Sequence, residues 1–250
     1  MKTRHYLSAI IIITSMLLFT CTGKKTTGES KKSATEETTD SIPAVSTYDY
    51  SVNGLPVLED YNNSKSILTF VKVGESVIFL GKTATDTVSK KEYDKIELSD
   101  GKIGWSRADY IIKNAVPGAI INATPVYERP DILTKSARKS YDNIDVVAVV
   151  DEKDDWYNVV GRNNLNSGWV MKDNISENKE DVAMAILARK EIFDSKGNIM
   201  DDKINDFINN APYPGSKIVS ILRDKLIKSV EQNAASDPTG MQEQIESVPE

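Results

Sequence analysis

The 250-residue chain has one histidine, His5, and one cysteine, Cys21, and both lie within its first 21 residues. If that leading segment is processed, the mature chain holds no histidine and no free thiol. This excludes Ser-His-Asp and Cys-His catalysis, a zinc site built on His or Cys, and any disulfide. Basic excess is lacking too: the formal charge is −6, and loss of Lys2 and Arg4 without any acid takes it to −8. Nucleic-acid binding needs a cationic footprint, so no nucleic-acid partner is expected. An anionic membrane surface should mildly repel a body of this charge. Long apolar runs are scarce. The single one, Leu7 to Phe19, is 13 residues, short of the ~20 that a membrane-spanning helix needs.

What is present begins with that run. Lys2 and Arg4 precede it, and Thr/Lys/Ser-rich sequence follows at once, which is the pattern of a secretory signal over residues 1–20. Leu18-Phe19-Thr20-Cys21 resembles a bacterial lipobox, with the loose middle positions of spirochaetal examples. The resemblance implies acylation at Cys21, and so an exported chain anchored to a bacterial membrane on its periplasmic or surface face. One acyl chain binds a membrane only marginally, and several hold it stably. Residues 21–47 are Thr, Ser, Lys and Glu with few apolar side chains. Such a segment cannot offset chain entropy by burial, so it reads as a disordered tether.

The body contains an internal repeat of about 65 residues. Gly54-Leu55-Pro56-Val57-Leu58-Glu59 matches Asn122-Ala123-Thr124-Pro125-Val126-Tyr127-Glu128. The alternating run Val77 to Leu80 matches Val146 to Val150, and a strand led by Tyr93 matches one led by Trp156. Each copy closes on glycine and tryptophan, Gly104-Trp105 and Gly168-Trp169, followed by Asp109-Tyr110-Ile111 or Asp173-Asn174-Ile175. Short runs of period two, with no helical pattern between them, predict small antiparallel barrels over 48–113 and 114–178. Asp100-Gly101 predicts a tight primed turn, and Asn163 to Gly168 is its longer counterpart. The second copy carries an insert around Lys135 to Ser140.

These motifs together resemble bacterial SH3 (SH3b) domains. The resemblance implies a mainly β chain with two tandem small SH3-like barrels. It further implies non-catalytic binding of cell-wall peptidoglycan or of an envelope or host protein or peptide. An assembly role for the chain, or a surface adhesin, are the rival readings. In such barrels some aromatics close the core and others line a groove. Trp105 and Trp169, each following a glycine, are expected in the core, and Tyr61, Tyr110, Tyr127 and Tyr157 at ligand grooves.

After Ile175 the period becomes helical. Asn178 is placed to cap a helix with Glu180 and Asp181 in its first turn, and Gly197 is a candidate stop. Ile204, Phe207 and Ile208 suggest a short helix. Val219, Leu222, Leu226 and Val230 form one stripe from Ser216 onward. The helical extension is thus expected over 179–234, with a disordered acidic tail over 235–250. The carboxylate pairs Asp154-Asp155 and Asp201-Asp202 lie in polar surroundings, unlike the opposed acids of a glycosidase. Asp194 to Asn198 fails the calcium-loop spacing, because position 1 would be Ile192. No enzyme activity, cofactor or metal is expected.

Overall fold

The computed structural model describes residues 41–51, 53–194 and 197–236. Cys21, the signal over 1–20, the tether up to residue 40 and the tail from 237 onward lie outside the described residues. The fold is mainly β, with two antiparallel sheets of seven strands and three helices. The first sheet contains β1 (Ile42–Ser46), β2 (Leu55–Leu58), β3 (Ile67–Val71), β4 (Ser76–Thr85), β5 (Glu92–Glu97), β6 (Ile103–Arg107) and β7 (Ile111–Lys113). The second contains β8 (Val116–Ile120), β9 (Thr124–Tyr127), β10 (Lys135–Tyr141), β11 (Val146–Lys153), β12 (Trp156–Val160), β13 (Gly168–Met171) and β14 (Ile175–Ser176). Strand order is β3-β2-β6-β5-β4-β1-β7 in one and β10-β9-β13-β12-β11-β8-β14 in the other, so the sequence repeat is a topological repeat. Each ladder is open, ending on β3 and β7 or on β10 and β14, and no closed barrel is present among the described residues.

One boundary differs from expectation. Residues 42–46, assigned to the tether, form β1, which pairs with both β4 and β7 inside the first sheet. Ala44 and Val45 are buried there. The Asp100-Gly101 turn also differs. Only Gly101 has positive φ, and Leu98 and Lys102 close a three-residue loop around it, so the hairpin is not of the two-residue primed kind. The insert around Lys135 is a bulge: Lys135 pairs with Tyr127, but Ser140 already pairs with Pro125.

The glycine-tryptophan pairs have a steric cause. A Cβ on Gly104 would stand 2.5 Å from Val57 Cγ1 and 2.8 Å from the Leu58 carbonyl oxygen. On Gly168 it would stand 2.5 Å from Val126 Cγ1 and 2.7 Å from the Tyr127 oxygen. Each glycine lets β2 or β9 approach the strand. Because side chains alternate along a strand, the tryptophan that follows faces the other way. Trp105 and Trp169 are therefore half-buried rather than core residues, which corrects the expectation for both. Trp156, by contrast, is only 8% exposed.

The helices are α1 (Lys179–Glu191), α2 (Asp201–Asn209) and α3 (Lys217–Ser236), so α3 runs two residues into the expected tail. Asn178 caps α1, accepting from the backbone N–H of Glu180 and Asp181, and Arg189 and Lys190 lie in its last turn. Gly197 does not stop α1, which ends six residues earlier; it sits in a turn closed by Asp194 and Asn198. Val182, Met184, Ala185 and Ala188 of α1, Ile204 and Phe207 of α2, and Ile218, Val219 and Leu222 of α3 form one core with Ala119, Ile144 and Val146 of the second repeat. Asp181 ties this layer together, accepting from the hydroxyls of Ser176 at 2.5 Å and Ser216 at 2.7 Å and from the Lys217 backbone N–H at 2.7 Å. No helix among the described residues is long and apolar enough to cross a membrane.

Candidate binding cleft

The cleft is built by the link between β1 and β2. In the first repeat this link is residues 47–54, and in the second it is only 121–123. The extra length carries Tyr48, Asp49 and Tyr50. In an extended stretch, residues two apart project to the same side, and the two rings meet at 5.5 Å. Tyr110, in the 3-10 turn before β7, joins them at 5.0 Å from Tyr48 and 6.0 Å from Tyr50, all edge-on. Such T-shaped contacts suit the ring quadrupoles. Tyr50 remains 63% exposed.

Asp49, between the two rings, points the other way into a charged junction. Its Oδ2 accepts from Arg162 Nη1 at 2.9 Å and from Arg189 Nη2 at 2.7 Å and Nε at 3.1 Å. Its backbone N–H donates to Asn163 Oδ1 at 2.7 Å. Arg162 also lies 3.6 Å from Asp145. Beside this, Thr47 Oγ1 donates to Asn164 Oδ1 at 2.7 Å, the Asn163 N–H donates to the Thr47 carbonyl, and Asn164 Nδ2 donates to the Asp109 carbonyl. The positive φ of Asn163 and Asn164, which asparagine tolerates, aims these groups at the first repeat. One loop of the second repeat and one arginine of α1 thus hold the tyrosine-bearing link rigid.

The resulting cleft has a volume of about 230 Å³. It is lined by Tyr48, Tyr50 and Gly54 of the link, by Arg189, Lys190 and Phe193 at the end of α1, by Lys72 just after β3, and by the acids Asp49 and Asp194. Arg189 stacks over Phe193 at 5.0 Å. Aromatic walls with cationic neighbours and backbone polar groups suit a polar, partly anionic ligand such as a peptide or a sugar chain. Burial raises the pKa of Asp145 even though the Asp142 N–H and the guanidinium groups of Arg162 and Arg189 oppose it. Burial also raises that of Tyr141, whose hydroxyl donates to the Asn166 carbonyl.

Of the residues predicted for ligand binding, Tyr110 packs on Tyr48 and Tyr50 without itself lining the cleft. Tyr61 packs on Trp105 at 4.8 Å, with Lys95 Nζ 5.8 Å from the same indole. Tyr127 packs on Trp156 at 4.9 Å. Tyr157 donates to Glu177 at 2.5 Å and lies under Lys172, and the hydrogen bond pushes its pKa up to about 12. The four tyrosines therefore belong to separate neighbourhoods. Tyr48 and Tyr50 are not among the residues the sequence points to, because the stretch before them reads as tether; the Tyr-x-Tyr spacing is the one signal that marks them. Among the described residues no group of three His, Cys, Asp or Glu side chains is placed to hold a metal ion.

No protein-family model matches the chain, and no curated protein matches it. Among solved structures it is similar to NlpC1 from Trichomonas vaginalis, at 14% identity and TM-score 0.26, over 64% of this chain and 56% of that one. It is also similar to NlpC2 from Trichomonas vaginalis, at 14% identity and TM-score 0.24, over 62% and 58%. The chain spans less than two thirds of the length of either, and likeness at these scores assigns neither fold nor activity.

Proposed function

We propose that the chain is a non-catalytic binding protein of a bacterial envelope. In this reading two SH3b-like modules are locked into one body, exported and held to a membrane by acylation at Cys21. The ligand is peptidoglycan or an envelope peptide, taken at the cleft lined by Tyr48 and Tyr50, with Tyr110 packed behind them. The observation that carries it is Tyr50, 63% exposed yet standing on a link fixed by Asp49 to two arginines. A large ring held rigid and in solvent is the profile of a binding anchor, because little ordering entropy remains to be lost. The SH3b reading is supported by the same strand order twice over, by the 3-10 turn before each last strand, and by the steric use of both glycine-tryptophan pairs. A partner docked through the helices is less favoured, since their apolar stripe is already spent on the second sheet.

The test is co-sedimentation of the purified full chain with cell-wall sacculi, beside Tyr50→Ala and Tyr110→Ala. Each variant should lose at least about tenfold in binding, the scale of a hot-spot aromatic; Tyr50→Ala should keep the parental melt, whereas Tyr110→Ala, which removes a ring packed on the first core, should melt lower. Unchanged binding in both would refute the cleft, and sacculi that retain no protein would refute the wall ligand.

A further inference from the structure

The hairpin between β9 and β10 ends in Ile132 and Leu133, which are 61% and 88% exposed. The loop that presents them is closely bonded. Thr134 Oγ1 donates to the carbonyls of Arg129 at 3.0 Å and Asp131 at 2.8 Å, and accepts from the Arg129 N–H at 3.1 Å. Asp131 Oδ1 accepts from the Leu133 N–H at 2.9 Å. A bonded turn therefore carries two large apolar side chains into water at the hairpin tip.

The first repeat supplies an internal control. Between β2 and β3, Ser66 Oγ donates to the carbonyls of Asp60 at 3.1 Å and Asn63 at 2.6 Å and accepts from the Asp60 N–H at 3.2 Å. Asn63 Oδ1 accepts from the Lys65 N–H at 3.1 Å. The last four residues make the same turn, with Ser66 in place of Thr134 and Asn63 in place of Asp131, in a loop one residue longer. Where the second repeat has Ile132 and Leu133, the first has Ser64 and Lys65. The turn does not need apolar residues there, so folding does not account for them.

The charge differs in the same place. Residues 129–139 hold four basic side chains and one acid, in a chain whose net charge is −6. Arg129, Lys135 and Arg138 are exposed, and the bulge in β10 carries Arg138 and Lys139 out of the ladder. From this tip and its basic collar we infer that the hairpin docks on an anionic lipid surface. Ile132 and Leu133 enter the headgroup–acyl boundary, and Arg129, Lys135 and Arg138 meet lipid phosphates, as cationic interfacial anchors do. A protein pocket fits less well, because two side chains at a hairpin tip fall far short of the ~1,200 Å² that a stable protein interface buries. The docking is separate from the aromatic cleft and does not depend on it. It would also orient a body whose overall charge repels such a surface.

The test uses residues 39–250, a compact unit that contains every described core cluster, so that the amino-terminal apolar run cannot contribute. Flotation is compared on vesicles of phosphatidylcholine alone and with about a third phosphatidylglycerol. The parent should float with the anionic vesicles and fall away as salt rises. Ile132→Ser with Leu133→Ser, which keeps the charge of the tip unchanged, should keep the melt and lower partitioning at least about tenfold, the scale of losing even one buried apolar side chain. Arg129→Gln with Lys135→Gln and Arg138→Gln should lower binding to anionic vesicles by up to about a hundredfold, at about fivefold or less per charge. Failure of the parent to float, or equal flotation of the parent and both variants, would overturn the inference. A parent that ignores lipid but is captured by a protein would do so in favour of a protein partner.

Discussion

The two repeats share a ladder order and the Ser66 or Thr134 turn, and differ in the polar pairs placed on the sheet. At one pair of equivalent positions the first repeat places Asp94 on β5 and Lys113 on β7. Asp94 is fully buried, accepts from Thr83 Oγ1 at 2.6 Å and lies 3.0 Å from Lys113 Nζ, which caps the Phe79 ring at 4.0 Å. The second repeat places Tyr157 and Glu177 there, joined by one hydrogen bond. Ion pair and phenol–carboxylate bond serve the same frame. The frame therefore rests on the apolar positions Val57, Val77 and Ile96, with counterparts Val126, Val147 and Val159. The repeats differ most in what completes them. The first has its own small core and an eight-residue link that reaches across to its neighbour. The second borrows a helical layer to cover Ala119, Ile144 and Val146.

That contrast breaks most sharply at the amino terminus. A chain starting at Tyr48 loses β1, and with it the strand between β4 and β7. The first repeat should lose its cooperative melt, and amide exchange should become fast across β4 and β7. A chain starting at residue 39 should melt like the parent. Equal melts of the two would show that β1 is dispensable.

The aromatic positions are the next test. Trp156→Ala removes a buried indole and should cost about 3–5 kcal/mol. Trp105→Ala removes a half-buried one lying on Tyr61 and should cost roughly 1–2 kcal/mol. Chemical denaturation of both variants checks the order, and equal losses would return Trp105 to the core.

These expectations show what sequence could and could not convey. Repetition, strand period and the Asn178 cap were legible, because each is a local pattern. Which face Trp105 takes was not, since a shift of one residue reverses every side chain on a strand. The deciding fact is a non-local one, the approach of Val57 and Leu58 to Gly104. β1 was hidden by its polar flank and by Pro43, a residue uncommon within sheets. Its signature was nevertheless repeated: Ile42-Pro43-Ala44 stands in β1 as Val116-Pro117-Gly118 stands in β8. The Tyr48–Tyr50 link was not legible, because it has no counterpart in the second copy.

The join between the repeats gives a smaller effect. Asp49→Ala leaves Arg162 and Arg189 facing each other without their shared carboxylate. The loss should be roughly 2 kcal/mol, below that of a fully buried pair because Arg162 is partly solvated. The second repeat has no such link, so Asp49→Ala should loosen exchange at 47–54 and 162–164 before it affects β9 or β12.

The smallest effects are in pH, and they have opposite signs at two acids of the helical side. Burial raises the pKa of Asp145 above 3.8. The folded state then binds its proton more tightly than the unfolded state. This contribution is complete below 3.8 and is lost as pH rises through the raised value. For Asp181 burial acts upward as well, but the hydroxyls of Ser176 and Ser216 and the N–H of Lys217 outweigh it, so the pKa is lowered. Its contribution is complete above 3.8 and is lost as pH falls through the lowered value. Asp86 and Asp100 are lowered by hydrogen bonds in exposed turns, so they share that acid limb. Melting temperatures between about pH 2.5 and 6 separate the two. Asp145→Asn should flatten the decline above 3.8 and leave the acid limb alone. Asp181→Asn should lower stability throughout and make the acid limb shallower without abolishing it. If Asp145→Asn leaves the upper limb as steep as in the parent, the raised acid lies elsewhere and the charged junction between the repeats does not titrate in this window.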